Sequence, residues 1–151
     1  MNKLILIILF IACSISLQAQ DNVDEALAYQ YYQQANYDKA VVLLEKLFNK
    51  TKNDAYFDLY FTSLIKIKKY TEAESILKKL IKQYPLKQNY AIALGRVYQE
   101  NGRIAEADKI FQEAINNIPK DENRFRDLAN SFYRIEAYDK AILVFLQGRK
   151  V

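Results

Sequence analysis

Four alanines, Ala40, Ala73, Ala107 and Ala141, stand 33, 34 and 34 residues apart, each within nearly the same local text. The segments read Tyr37-Asp38-Lys39-Ala40, Tyr70-Thr71-Glu72-Ala73, Ile104-Ala105-Glu106-Ala107 and Tyr138-Asp139-Lys140-Ala141. A fixed internal period of this length constrains the architecture before any single residue is interpreted, because each unit must bury its apolar face on the next. The expected fold is a solenoid, and a solenoid offers an extended surface to a partner.

Composition agrees with helical units. Apolar residues are 51% of the chain, enough to form a core and too many for a disordered segment. Only 3 Gly and 2 Pro are present against 12 Tyr, which suits helices joined by short turns. The formal charge is +4. Removing Lys3 with the segment below leaves 21 basic and 18 acidic residues, a net +3 with the signs interspersed. That balance argues against a specific nucleic-acid binder.

The first nineteen residues have the pattern of a signal peptide. Lys3 supplies the positive start, Leu4 to Leu17 is apolar over 14 residues, and Leu17-Gln18-Ala19 resembles a small-residue cleavage site. A spanning helix needs about 20 apolar residues, so a cleaved leader is expected rather than an anchor. The end Leu17-Gln18-Ala19-Gln20 resembles those of exported proteins of low-GC Gram-negative bacteria, which implies the periplasm or cell envelope. Cys13, the one cysteine, lies within this segment. Phe10-Ile11-Ala12-Cys13 loosely resembles a lipobox, but Phe10 replaces the usual leucine and apolar residues continue past it. The expectation is an ordinary residue of the apolar stretch, with membrane attachment only if Cys13 is acylated. The folded part then has no disulfide and relies on packing.

Periodicity and punctuation place two helices in each unit. Asp21 is positioned to cap a helix to about Ala35, with Leu27, Ala28, Tyr31 and Ala35 on one face and the turn at Asn36. A second helix is expected from Asp38 to about Lys50, with Ala40, Leu44 and Leu47 aligned. The next pair spans Asp54 to Ile67 and Thr71 to Gln83, with Thr71 and Glu74 spaced as a capping box and Pro85 closing the unit. Helices from Gln88 to Glu100 and Ile104 to Asn117 follow, with a turn at Asn101-Gly102 and Pro119 beyond. The last pair starts near Asp121, turns near Glu136 and ends near Gly148. The domain is thus expected over 20–151, in units of about 21–53, 54–87, 88–120 and 121–151.

Leu94-Gly95, Tyr98, Ala107, Phe111, Ala114 and Pro119 have the types and spacings of the tetratricopeptide repeat, which the chain resembles over 21–151. The other units share the pattern with departures. Lys52 replaces the closing proline of the first, and bulky Phe61 replaces the small residue of the second. The fourth has Leu128-Ala129, Phe132, Ala141 and Phe145, with Gly148 at the small closing place. The resemblance implies an all-α, right-handed superhelix of antiparallel helix pairs, four repeats in number. Small Gly95, Ala28 and Ala129 should admit close helix crossings, with the four alanines doing the same from the partner helix. Phe111 and Phe145, with Leu44 and Leu77, should fill the hollows between units. Phe61 should either splay the second unit or be accommodated near Ala73.

Catalytic chemistry has little to work with. There is no histidine and no cysteine beyond Cys13, which removes the commonest base, zinc ligands and thiol nucleophile. Leu94-Gly95 and Asn101-Gly102 are isolated glycines, not a phosphate loop. The acidic pairs Asp24-Glu25, Glu72 with Glu74, and Asp121-Glu122 lie near helix starts, where they complement the helix dipole. No enzyme activity, cofactor or metal is expected. Lys66, Lys68 and Lys69, and Lys78, Lys79 and Lys82, read as solvated faces.

The tetratricopeptide resemblance implies that the first helix of each unit lines a concave groove that binds a peptide or protein segment. Tyr29 and Tyr32 would project there with Glu25 and Gln33, then Thr62 and Lys66 with Asp58. Arg96 and Gln99 follow with Asn89, then Arg126, Asn130, Tyr133 and Arg134. Tyrosine combines apolar area with a hydroxyl, and Arg and Asn suit carboxylates and peptide backbone. The subgroup that grips C-terminal carboxylates carries a Lys and Asn pair where Glu25 and Tyr29 stand, so that clamp is not expected. An envelope building block, or an N-terminal accessory domain of a longer protein, are the alternative roles. Ile142, Leu143, Phe145 and Leu146 come just before the end of the chain. A polar capping helix would normally follow such a run, so a longer protein or self-association through this end is expected.

Overall fold

The structure, a computed structural model, describes residues 22–149. The targeting segment, Cys13 and the Asp21 cap lie outside the described residues. Within them the chain is helical, with no strand: α1 over residues 22–33, α2 Tyr37–Thr51, α3 Asp54–Lys66, α4 Tyr70–Gln83, α5 Gln88–Glu100, α6 Ile104–Asn116, α7 Glu122–Arg134 and α8 Tyr138–Gly148. Two compact units divide between Ile67 and Lys68.

The 33–34-residue period recurs in the backbone. Ala35, Lys68, Gly102 and Glu136 have φ of 55°, 59°, 76° and 63°, and each stands five residues before one of the four alanines. A left-handed residue ends the first helix and lets the chain reverse. Three such turns then reach back with a backbone bond: Asn36 N–H to Tyr31 O (2.8 Å), Arg103 N–H to Tyr98 O (2.8 Å) and Ala137 N–H to Phe132 O (3.0 Å). Glycine takes this conformation without a Cβ penalty, yet occupies it only at Gly102. In the first turn Ala35, not Asn36, is the left-handed residue. Asn36 becomes the N-cap of α2, without a side-chain bond.

In the first unit α2 packs on α3. Ala28, Ala40, Leu44 and Leu64 are fully buried. Phe61 is buried in an aromatic cluster, its ring 4.6 Å from Phe57, 4.9 Å from Tyr60 and 6.5 Å from Phe48. The bulk that replaces a small residue is thus accommodated by rings on α2 and α3. Lys52, in place of a closing proline, ends α2 in a left-handed conformation with φ 53° and its N–H on Phe48 O at 2.8 Å. Asn53 then caps α3, its Oδ1 accepting from Ala55 N–H at 2.7 Å. Buried Asp24 of α1 accepts from Lys46 Nζ of α2 at 2.5 Å, so it serves an ion pair between helices.

In the second unit α5 packs on α4, α6 and α7, and α7 on α8. Gly95 makes a close crossing of α5 and α6. A Cβ there would lie 2.2 Å from Phe111 Cε1, and the Phe111 ring is itself fully buried, 5.4 Å from that of Phe132. Gly148 has the same role at the far end, its notional Cβ 2.7 Å from Phe125 Cβ. Phe145 does not fill an inter-unit hollow. It is 45% exposed, because none of the described helices follows α8 to cover it.

The Thr71–Glu74 capping box does not form. Helix α4 begins at Tyr70, so Thr71 lies inside the first turn, and the N-cap Lys69 makes no side-chain bond. Glu74 instead ties α4 to α5 and to the turn before α6. Its carboxylate accepts from Lys78 Nζ (2.6 Å), Tyr98 Oη (3.0 Å) and Arg103 Nη1 (2.7 Å). The Arg103 guanidinium lies 4.0 Å from the Tyr98 ring centroid and also donates to both oxygens of Glu106. Asp121, by contrast, caps α7 as its position implies, accepting from Arg124 N–H at 3.1 Å.

Two outcomes follow from these contacts. Gly95→Ala should lower stability by about 1–3 kcal/mol, because overpacking outweighs the gain in helix propensity. Urea unfolding reads the loss, and Phe111→Leu in the same background should recover part of it; an unchanged midpoint would remove the close-crossing account. For Glu74, the bond from Lys78, aided by those from Tyr98 and Arg103, holds the carboxyl below its ordinary value. Its contribution is therefore fully present above the unfolded pKa of about 4.3 and is lost as pH falls through the lower folded value. Glu74→Gln should flatten the acid limb of stability against pH below that point, and an identical acid limb in both proteins would refute the role.

Candidate functional site

The exposed sides of the first helices repeat with the same period as the core. Tyr29, Thr62, Arg96 and Asn130 occupy equivalent places 33, 34 and 34 residues apart, and so do Tyr32, Ile65, Gln99 and Tyr133. The helical packing that buries Ala28 and Ala129 turns the adjoining positions Tyr29 and Asn130 outward.

In the first unit the structure brings Tyr29 of α1 beside Tyr56 of α3, with ring centroids 6.5 Å apart. Both are half-buried. Burial, and then a hydrogen bond to the Glu25 carboxylate, push the Tyr56 phenol up to about 12. Tyr32 makes an edge contact of 5.5 Å with Tyr37, which fixes its ring across the α1–α2 turn. Thr62 is half-buried and Lys66 exposed, both on α3. Ile65, equivalent to Tyr32, is buried and offers nothing to a ligand. Tyr56 was missed by sequence reasoning. It lies off the repeating surface columns, and only the α1–α3 approach places it beside Tyr29.

In the second unit the candidate residues lie on adjacent helices, Arg96 and Gln99 on α5 and Arg126, Asn130, Tyr133 and Arg134 on α7. The four on α7 fall at i, i+4, i+7 and i+8, one face of a helix whose opposite face buries Phe125, Leu128, Ala129 and Phe132. All four are exposed, as is Gln99, while Arg96 is half-buried. Tyr133 is 63% exposed, yet its ring is held by Tyr138 at 5.4 Å, which limits the ordering needed to bind against it. Arg126 donates to Asn123 Oδ1 at 2.5 Å, which orients its guanidinium along the helix. The face therefore combines a large ring, an amide and guanidinium groups, a set suited to peptide backbone and carboxylate groups.

The second unit also has a cleft of about 380 Å³ between α4, α5 and α6, walled by Ile81, Tyr84, Leu94 and Ile110 with Lys78, Lys87 and Glu113 among its lining. Lys79 and Lys82 are exposed on α4 and Lys66 on α3, whereas Lys78, also exposed, is bonded to Glu74. Among the described residues, no three His, Cys, Asp or Glu side chains are grouped to hold a metal ion. No helix among them is long and apolar enough to cross a membrane.

The family described as Psidin, N-terminal TPR repeats region, matches residues 26–147. Solved structures with a similar course include MamA MSR-1, at a TM-score of 0.46 and 22% identity, covering 86% of this chain and 75% of that one. MamA AMB-1 is similar at a TM-score of 0.46 and 21% identity, covering 87% and 72%. No curated protein matches.

Proposed function

The chain belongs to the family of the Psidin N-terminal TPR repeats region, and from that premise we propose an exported scaffold that binds a protein or peptide segment on the faces of its first helices. Tetratricopeptide-repeat proteins are, as a class, scaffolds for protein–protein interaction. The α5–α7 face carries the finer reading: Arg126, Asn130, Tyr133 and Arg134 form one exposed stripe beside Arg96 and Gln99. A rigid helix pair presents these side chains with little ordering cost, so an extended segment bearing carboxylates is the ligand class that fits. Tyr29, Tyr32, Thr62 and Lys66 of the first unit add a second, more aromatic face. The role is recognition rather than catalysis, consistent with a chain that has no histidine.

A displayed library of random dodecapeptides, selected on the protein, tests the binding face. Selected peptides should be rich in acidic residues and lose at least tenfold in affinity, by fluorescence anisotropy, on Arg96→Ala with Asn130→Ala. Tyr29→Ala measures the first unit separately, and circular dichroism checks that each variant folds. Peptides that bind every variant equally would show that recognition lies elsewhere.

Export rests on Lys3, the apolar run Leu4 to Leu17 and the Leu17-Gln18-Ala19 end. The periplasm or cell envelope is the proposed location, with cleavage after Ala19 and Cys13 removed unacylated. Mass spectrometry of the protein from a Gram-negative host should find an N-terminus at Gln20. A product that retains Met1, or one that begins at a lipidated Cys13, would refute this processing.

A further inference from the structure

Helix α8 turns Ala141 and Val144 into the unit and leaves its other side apolar and exposed. Ile142, Phe145 and Leu146 are 60%, 45% and 52% exposed, with Leu143 at the margin. Ile142, Phe145, Leu146 and Arg149 fall at i, i+3, i+4 and i+7, and Asp139, three residues before Ile142, joins the same stripe. At the foot of the helix an open cleft of about 320 Å³ is lined by Glu122, Phe125, Arg126, Phe145, Gly148 and Arg149. A contiguous apolar patch of this kind marks an interaction surface.

The order of charge along the stripe selects the occupant. It carries an acid in the first turn, Asp139, then only apolar residues, then a base at the end, Arg149. The Asp139 side chain is 77% exposed, with Lys140 Nζ at 3.5 Å, and Lys140 itself lies off the stripe with its Nζ 5.6 Å from the Phe111 ring centroid. A second copy laid parallel would set like charges together. Laid antiparallel about a two-fold axis, each Asp139 faces the other copy's Arg149, the helix dipoles oppose, and Ile142 meets Phe145 and Leu146. The geometry points to an isologous dimer of this chain through antiparallel α8 helices. An 11-residue helix from each copy, with Phe125 beside it, is a small contact against the about 1,200 Å² at the lower end of stable interfaces. The dimer is accordingly concentration-dependent. It stands whether or not the α5–α7 face binds peptide.

Sedimentation velocity of the full chain over a concentration series tests it. The wild type should move from monomer to dimer, and Phe145→Asp with Leu146→Asp should stay monomeric with unchanged helical circular dichroism. Asp139→Arg alone and Arg149→Asp alone should each weaken self-association about fivefold or more, while an equimolar mixture of the two should dimerise again. Both charged residues are exposed, so this second arm holds even if the apolar variant fails to fold. A wild type that stays monomeric throughout, a dimer indifferent to the apolar pair, or charge variants that remain monomeric when mixed would each overturn the proposal.

Discussion

The second unit depends on one close approach. Gly95 lets α6 come so near α5 that the Phe111 ring occupies the space where any other residue would put its Cβ. That ring then meets Phe132 of α7, so a single crossing ties the helices of one repeat to the first helix of the next. The alanines at 73 and 107 are buried completely and Ala141 nearly so. Larger residues there would force the helices apart, and ridges that no longer interlock lose the dispersion contacts that make the core.

The crossings need the chain to reverse sharply, and the left-handed residues provide this. Three of the four places are filled by residues with a Cβ, so backbone hydrogen bonds and tertiary packing outweigh a local cost of about 1–2 kcal/mol at each. Polar side chains are spent in the same way. Asp24 and Lys46 join α1 to α2, and Glu74 draws Tyr98 and Arg103 onto α4. Outside this interior, the places equivalent to Tyr29 are filled in turn by a hydroxyl, a guanidinium and an amide, at Thr62, Arg96 and Asn130.

Much of this frame was legible because its causes are local or strictly periodic. The helix limits at Gln88, Glu100, Ile104 and Gly148 follow from apolar spacing and from turn residues a few positions away. The start of α7 beside Asp121 was readable for the same reason. The failures share the opposite cause. Thr71 and Glu74 have the spacing of a capping box, but Glu74 finds its partners 24 and 29 residues away, and those outcompete the helix end. Phe61 looked intrusive while its neighbours in space, Phe48 and Phe57, were unknown. Tyr56 belongs beside Tyr29 only because α1 and α3 approach one another.

By itself the sequence determined the repeat and its register. A 33–34-residue period places the small crossing residues at the same point of every unit, and Ala40, Ala73, Ala107 and Ala141 are all buried. The tertiary structure alone decided which outward residues are available to a ligand. Ile65 sinks into the core where Gln99 and Tyr133 stay exposed, and Phe145 surfaces where Phe111 is buried. Equivalent places in the repeat differ in this way because exposure depends on what the neighbouring helices present, and those neighbours are not themselves identical.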